Sequence, residues 1–193
     1  GKTTLTKMLA KNYKWTPLFE AVDNNPYLDN FYDDMQRWSF NLQVFFLNSR
    51  FRQVQDIIKS KKTIIQDRTI YEDAYIFAPN LQSMGLTTSR DYDNYLDLFK
   101  LMESFVSPPD LLIYLRSDIP SLVARIQSRG REYEEGIRID YLKRLNERYE
   151  AFFTNYKHNH LVIQANEIDF QHQKGDLSII IEKIDANLSG LFK

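Results

Sequence analysis

Gly1-Lys2-Thr3-Thr4-Leu5-Thr6-Lys7-Met8-Leu9-Ala10 is the stretch on which the reading of the fold turns. Its first four residues match the end of the phosphate-loop pattern G-x-x-x-x-G-K-[ST], and the next six continue with helical spacing. A helix that starts behind a glycine turn offers backbone N–H groups and the positive end of its dipole to an anion. In such a loop Lys2 reaches the β- and γ-phosphates of a nucleotide, Gly1 and Thr4 belong to the cradle, and the Thr3 hydroxyl ligates magnesium. An ordinary helix start is the competing reading of these four residues alone. The motif's first glycine and the strand expected before it lie outside the sequence, so the chain is expected to be truncated at its N-terminus. Its 193 residues, expressed as they stand, are then expected to be poorly folded or inactive.

Outward from this loop the chain alternates short apolar runs with helical patterns. Strands are expected over residues 15–19, 62–66 (a buried one), 110–115 and 161–165. Helices are expected over 27–34, 37–60, from Tyr71 up to Pro79, from Ser89 as N-cap to Val106, and over 117–128, 137–157 and 177–188. The alternation indicates an α/β fold with helices on both faces of a parallel sheet, five-stranded once the strand before Gly1 is counted. Ligands of such sheets bind beyond the carboxyl ends of the strands, which is where Glu20, Asp67-Arg68 and Arg116 fall. Residues 37–60 carry apolar side chains on two sides, Trp38, Leu42 and Phe45 on one, Leu47, Phe51, Val54 and Ile58 on the other. That is a central helix between two layers, or a subunit interface.

The chain has the length of one domain, and 43% hydrophobic with 26% charged residues is an ordinary globular composition. Lys and Arg (25) balance Asp and Glu (26), so no field of one sign points to nucleic acid or membrane as partner. The lack of cysteine excludes disulfides, thiol catalysis and zinc–thiolate sites. Apolar runs are too short for a membrane span, and a cytoplasmic location is expected.

Four constellations carry chemistry. Arg125, Arg129 and Arg131, with Gly130 and Gly136 as hinges, read as an arginine-rich lid at about residues 125–136, or as a solvated charged turn. Asp67 at a strand end suits magnesium, directly or through water, and Arg68 a phosphoryl oxygen; an N-cap for the following helix is the other role open to Asp67. Glu20 is placed to take a proton from an attacking hydroxyl, and no arginine follows it closely, which suits an uncharged acceptor. Gln43 and Arg50, two helical turns apart, share a face about 10 Å apart, and an amide there offers donor and acceptor side by side, the arrangement that reads adenine bidentately. Phe46, Phe77 and Tyr32 would supply apolar walls and a hydroxyl; an exposed helix position is the alternative for Gln43. His158, His160 and His172 lack ligand spacing and read as surface residues.

With these residues in place, essentially the whole chain resembles the deoxynucleoside kinases, the family of deoxycytidine, deoxyguanosine and bacterial deoxyadenosine kinases, the bacterial purine enzymes most of all. The resemblance is carried by Trp38-Ser39-Phe40-Asn41-Leu42-Gln43 continuing to Ser49-Arg50, by Asp67-Arg68-Thr69-Ile70-Tyr71-Glu72-Asp73 with Tyr75-Ile76-Phe77, and by Arg129-Gly130-Arg131 with Glu134-Glu135-Gly136-Ile137. It implies a P-loop kinase fold, ATP with magnesium, a deoxynucleoside acceptor and a homodimer. By position, Glu20 resembles the base that deprotonates the 5′-hydroxyl and Arg68 the arginine beside it. Gln43 matches the glutamine on the base, Arg50 and Asp73 a polar pair behind it, and Phe77 the aromatic packed on it. Tyr32 and Glu134 match the residues on the 3′-hydroxyl. Arg125, Arg129 and Arg131 match the lid arginines, and Arg125, with the loop through Asp169 and Phe170, lies near the ATP adenine in that pattern. Two positions depart from it: Asp67 where several members have Glu, and Asn24 where some animal enzymes have tryptophan. Both bear on reach and pocket shape rather than on reaction type.

Two rival readings share the fold, a nucleoside monophosphate kinase of the thymidylate type and a non-catalytic structural relative. Glu20 without a following arginine speaks against the first, and Glu20, Asp67-Arg68 and the lid arginines together against the second. Glu20→Gln is predicted to fold and bind nucleoside while losing most of its turnover, measured as kcat beside a direct binding titration. Near wild-type kcat would remove Glu20 from the reaction.

Overall fold

The structure is a computed structural model that describes residues 1–19, 25–130 and 138–190, the side chain of Arg129 excepted. In chain order the elements are α1 (Lys2–Tyr13), β1 (Thr16–Leu18), α2 (Leu28–Asp33), α3 (Met35–Lys59), β2 (Ile64–Gln66), α4 (Ile70–Glu72), a π-helical turn (Asp73–Phe77) and α5 (Ala78–Ser83). Then follow α6 (Ser89–Glu103), β3 (Leu112–Arg116), α7 (Ile119–Arg129), α8 (Ile139–Asn155), β4 (His160–Gln164) and α9 (Lys174–Leu188).

β1 pairs with β2 in parallel, Thr16 opposite Ile64, and β3 pairs with β4 in parallel, Leu112 opposite His160. Among the described residues these are two separate two-stranded ladders. β2 is half-buried rather than fully buried as read for residues 62–66. One core joins both ladders: Leu5 and Leu9 of α1, Ile163 of β4, Phe170, and Ile180 and Ile184 of α9, with Ile65, Ile113 and Leu115 packed against them. Helix α1 therefore presents its N-terminus where the carboxyl ends of the strands lie, which is where a parallel α/β layer binds ligands.

Helix α3 starts at Asp34, whose carboxylate accepts the Arg37 N–H at 3.0 Å, a normal N-cap. Leu42 and Phe46 pack with Phe31, Ile76, Leu81, Tyr141 and Leu145, while Leu47 packs with Ile70, Ala74, Tyr95 and Phe99. Most of both apolar faces of α3 is thus packed within the chain, as a central helix requires, while Ile58 near its C-terminal end stays exposed. Ser39, Gln43 and Arg50 are buried between those faces. At 100° per residue they fall within about 40° of one another, one polar line along an otherwise apolar helix.

Several boundaries differ from the sequence reading, α9 starting at Lys174 rather than residue 177 among them, and those of α4, α5 and α6 have a local reason. The N-cap of α4 is Thr69, not Asp67: Tyr71 N–H bonds the Thr69 hydroxyl and Glu72 bonds back to the Thr69 N–H, a capping box. The helical run does not end at Pro79 but reaches Ser83. The π-helical turn offsets the ladder, Ala78 N–H bonding Asp73 O, and Pro79 falls in the first turn of α5, where a missing N–H costs least. The N-cap of α6 is Thr88 rather than Ser89, its hydroxyl accepting the Asp91 N–H at 3.1 Å from an extended backbone, and the helix ends at Glu103 rather than Val106. No described helix is long and apolar enough to cross a membrane.

Leu47, with 0% exposure in the second cluster, has no room to be replaced by solvent. Leu47→Ala is expected to lower stability by about 2–5 kcal/mol through lost burial and a residual cavity, read as a lower midpoint with an unchanged slope in urea unfolding.

Candidate active site

The phosphate end is assembled from residues distant in sequence. The Thr3 hydroxyl donates to Asp67 Oδ2 at 2.5 Å across 64 positions, and the Asp67 N–H bonds Leu18 O at 2.8 Å, which fixes the end of β2 against β1. Asp67 is 4% exposed, and its Oδ1 has no hydrogen-bond partner among the described residues. An orphaned carboxylate oxygen beside a hydroxyl is a hard-oxygen donor set that fits a magnesium ion. No group of three His, Cys, Asp or Glu side chains gathers among the described residues, and magnesium shared with phosphates and water does not require one. On the other side of Gly1, Arg125 Nη2 donates to Ala165 O at 2.8 Å, and its Nη1 lies 3.6 Å from where a Cβ on Gly1 would stand. A guanidinium is thereby fixed beside the N-terminus of α1.

Arg68 follows Asp67 in a left-handed backbone conformation, φ 71°. A residue with a Cβ there carries about 1–2 kcal/mol of strain, and such strain persists only where the surroundings over-determine it. They do so here. The Thr69 N–H and hydroxyl both donate to Glu72 Oε2 at 2.6 Å, Tyr71 N–H closes the cap, and the Arg68 guanidinium stacks 4.6 Å from the centre of the Phe77 ring. The turn aims Arg68 at the cavity instead of along the strand.

That cavity has a volume of about 690 Å³, in the range of small-molecule sites. Gly1 and Lys2 open it at one end, with Arg125, Asp169 and Phe170; Tyr32, Gln43, Arg68, Asp73 and Phe77 line the other. Gln43 is 6% exposed and its Oε1 finds no hydrogen bond among the described residues, an arrangement that costs about 1–3 kcal/mol unless a ligand donates to it. Behind it Arg50 and Asp73, 0% and 1% exposed, form an ion pair with Nε to Oδ2 3.7 Å apart. The Tyr95 hydroxyl, buried nearby and without a hydrogen-bond partner among the described residues, is pushed far above its ordinary pKa by burial and by the Asp73 charge. The π-helical turn places both Asp73 and Phe77 on the cavity wall, a use that such turns often have.

The structure brings together, around this cavity, Gly1, Lys2, Tyr32, Gln43, Arg68, Asp73, Phe77, Arg125, Asp169 and Phe170, ten of the residues singled out in the sequence. Thr3, Asp67 and Arg50 stand directly behind its lining, and Thr4 continues the first turn of α1. Phe170 is 6% exposed and packs in the core beneath α1 as well as touching the cavity. Glu20, Asn24, Arg131 and Glu134, and the side chain of Arg129, lie outside the described residues. His172, read as a surface residue, is exposed but bonds Asp169 at 3.0 Å and touches the cavity rim; that bond holds the Asp169 carboxyl below the usual carboxylate value.

Helix α8 supplies a wall that the sequence reading missed. Tyr141, Leu145, Tyr149 and Phe153 line the cavity at i, i+4, i+8 and i+12, a stripe that was legible as a buried face but not as a binding surface. Tyr149 meets Phe77 edge-on with centroids 6.4 Å apart. Burial pushes the Tyr141 hydroxyl up to about 12, so it stays a neutral donor at physiological pH.

A parallel α/β layer whose phosphate-loop helix faces fixed guanidinium groups, a hard-cation donor pair and a nucleoside-sized cavity defines a nucleotide-dependent phosphotransferase with a P-loop kinase fold. The match is more specific than that. The family model for deoxynucleoside kinases matches residues 1–189, and the chain belongs to that family: it is a deoxynucleoside kinase, an ATP-dependent phosphotransferase. It is 36% identical over 187 residues to a deoxyadenosine/deoxycytidine kinase of Bacillus subtilis, covering 95% of this chain and 86% of the relative. A deoxyadenosine kinase of Dictyostelium discoideum is 39% identical over 88% of this chain and 69% of its own length. A deoxyguanosine kinase of Lactobacillus acidophilus is 34% identical, with 100% of this chain and 88% of the relative covered. Among solved structures, deoxyadenosine kinase from M. mycoides with bound dATP superposes with a TM-score of 0.84 at 29% identity, over 96% of this chain and 94% of that one.

Arg68→Gly separates backbone strain from chemistry. Glycine adopts the left-handed conformation without the Cβ clash, so thermal unfolding is expected at an unchanged or higher midpoint while kcat falls by about two orders of magnitude or more. A midpoint several degrees lower would show that the turn is not strained.

Proposed function

We propose that this chain transfers the γ-phosphoryl group of ATP to the 5′-hydroxyl of a purine deoxynucleoside, deoxyadenosine or deoxyguanosine, in nucleotide salvage. The observation that carries the reading is the orphaned Gln43 amide oxygen in the cavity, backed by the buried Arg50–Asp73 pair. A base edge that donates to Gln43 satisfies it, with the Phe77 ring against the base face and Tyr32 and Glu134 on the 3′-hydroxyl. The 5′-hydroxyl then lies toward Arg68 and Glu20, and Glu20 takes its proton as the new bond to phosphorus forms. Lys2, Arg68, Arg129 and Arg131 oppose the charge on the phosphoryl oxygens, and Gly1, Thr3 and Thr4 cradle the phosphates. Arg125 holds the ATP side of the site with Asp169 and Phe170. Magnesium, held by Thr3 and Asp67, would neutralise charge on the β- and γ-phosphates.

The relatives at 34% to 39% identity are named for deoxyadenosine or deoxyguanosine, one of them for deoxycytidine as well, and the recurring purine names support the purine reading within a shared reaction. The same reading takes the two ladders as parts of one five-stranded sheet, since a single core cluster touches both, and residues 1–193 as one kinase domain with an arginine-rich lid at about 125–136. It takes the protein as a cytoplasmic homodimer. Support for the dimer is the exposure of Ile58 on α3 and Leu101 on α6, 56% and 61%, on helices that pack against each other.

The test is turnover of the full-length protein with magnesium and ATP on the four deoxynucleosides and on deoxyadenosine 5′-monophosphate. Highest kcat/KM is expected on deoxyadenosine or deoxyguanosine, none on the monophosphate, and loss of activity on chelation that added magnesium restores. Turnover on the monophosphate alone would overturn the reading. Sedimentation at micromolar concentration is expected to show a dimer.

A further inference from the structure

Gln53 lies on α3 three residues beyond Arg50, and each of its amide atoms is engaged with a different element. Its Nε2 donates to Phe19 O at 2.7 Å. Its Oε1 accepts from Gln66 Nε2 at 2.9 Å and from Arg50 Nη1 at 3.3 Å. Phe19 immediately precedes Glu20, and Gln66 immediately precedes Asp67. Three segments therefore meet at one half-buried amide: the helix of Gln43 and Arg50, the chain entering Glu20, and the last residue of β2 before Asp67 and Arg68.

A primary amide suits this junction because it offers donor and acceptor at fixed separation. A carboxylate in its place would set an oxygen against the Phe19 carbonyl, and an aliphatic chain would leave that carbonyl, the Gln66 amide and one Arg50 N–H to find other partners. α3 and the β1–β2 ladder carry different sets of the residues singled out above, and the hydrogen bonds through Gln53 join the two directly.

We propose that Gln53 is a positioning residue that fixes the distance between the nucleoside-reading face of α3 and the strand ends that carry Glu20, Asp67 and Arg68. This rests on the functional reading above. Reaction rates are sensitive to displacements of about 1 Å between acceptor and phosphoryl group, so a loosened junction lowers turnover while ATP, held from α1 and α7, binds as before.

The experiment compares wild type, Gln53→Met, Gln53→Glu, Gln66→Met and the double variant Gln53→Met/Gln66→Met in the full-length protein, with kcat, KM for ATP, KM for deoxyadenosine and thermal unfolding measured for each. Both Gln53 variants are expected to lose about tenfold or more in kcat with KM for ATP within about twofold, the pattern of an interaction that orients the reacting groups. The double variant is expected to be within about twofold of Gln53→Met alone, because residues acting as a unit are not additive. Kcat within twofold of wild type in both Gln53 variants overturns the proposal, as does a change confined to unfolding temperature, or losses that multiply in the double variant. Should Gln53→Met fail to fold, Gln53→Glu, which keeps the side-chain shape, decides in the same terms. A wild type that phosphorylates no deoxynucleoside overturns the functional reading and this proposal with it; an active wild type with unaffected variants overturns this proposal alone.

Discussion

Thr69 gives both its N–H and its hydroxyl to one oxygen of Glu72, and the structure on either side depends on that junction. Upstream, the chain has left β2 at Gln66 and must turn within Asp67-Arg68 into a helix. The turn forces Arg68 to φ 71°, a conformation that the residue would abandon if the helix start were loose. Downstream, the capped helix passes through the π-helical turn that carries Asp73 and Phe77. One cap therefore fixes the Asp67 carboxylate beside Thr3, the Arg68 guanidinium at the cavity, and Asp73 and Phe77 on the cavity wall. The strain at Arg68 and the two short bonds at Thr69 are opposite sides of the same balance: about 1 kcal/mol for a cap against a similar cost for a left-handed residue.

The polar line along α3 answers to a different constraint. Ser39, Gln43 and Arg50 occupy buried positions of a helix whose two flanking faces are apolar, and a buried Arg–Asp pair contributes little or nothing to stability over apolar residues of the same volume. What such groups provide is discrimination. A site whose buried donors and acceptors need partners rejects a ligand that cannot supply them far more strongly than an apolar pocket rejects one of the wrong size. The orphaned Gln43 oxygen and the paired Arg50 and Asp73 behind it have that character, while the rings of Phe77 and Tyr149 give contact area without reading sequence of donors and acceptors.

How much of this was legible in the chain follows from the range of each signal. The start of α1, the placement of Asp67 at a strand end and the common face of Gln43 and Arg50 are periodicity arguments, and the structure has all three. The Thr3–Asp67 bond, 64 residues apart, follows from parallel topology once those strands are granted. The π-helical turn and the sign of φ at Arg68 are not carried by any local pattern, since arginine has no preference for that conformation and both arise from the cap and the packing around Phe77. Thr88 and Ser89 are equally good caps by type, and only the extended backbone at Thr88 separates them. The wall formed by α8 was visible as an apolar stripe, but a stripe does not say whether it faces a core or a cavity. Gln53 gave no signal, because an amide in a long helix is ordinarily solvated.

Arg125 beside α1 shows how the fold fixes a charge in advance. A guanidinium has five N–H donors, and Arg125 uses one on the Ala165 carbonyl at the end of β4, which fixes its plane beside Gly1 before any ligand arrives. Donors already oriented need no reorganisation when charge moves onto the phosphoryl oxygens, which is where electrostatic stabilisation gains its size. The helix that carries Arg125 ends four residues after Arg125, with Gly130 in the left-handed conformation that closes a helix at φ 61°. Arg125 is thus inside the last turns of α7 and tied to the carbonyl that follows β4. Its guanidinium is held by the helix on one side and by the strand end on the other, so its position beside Gly1 is set by elements that also build the core.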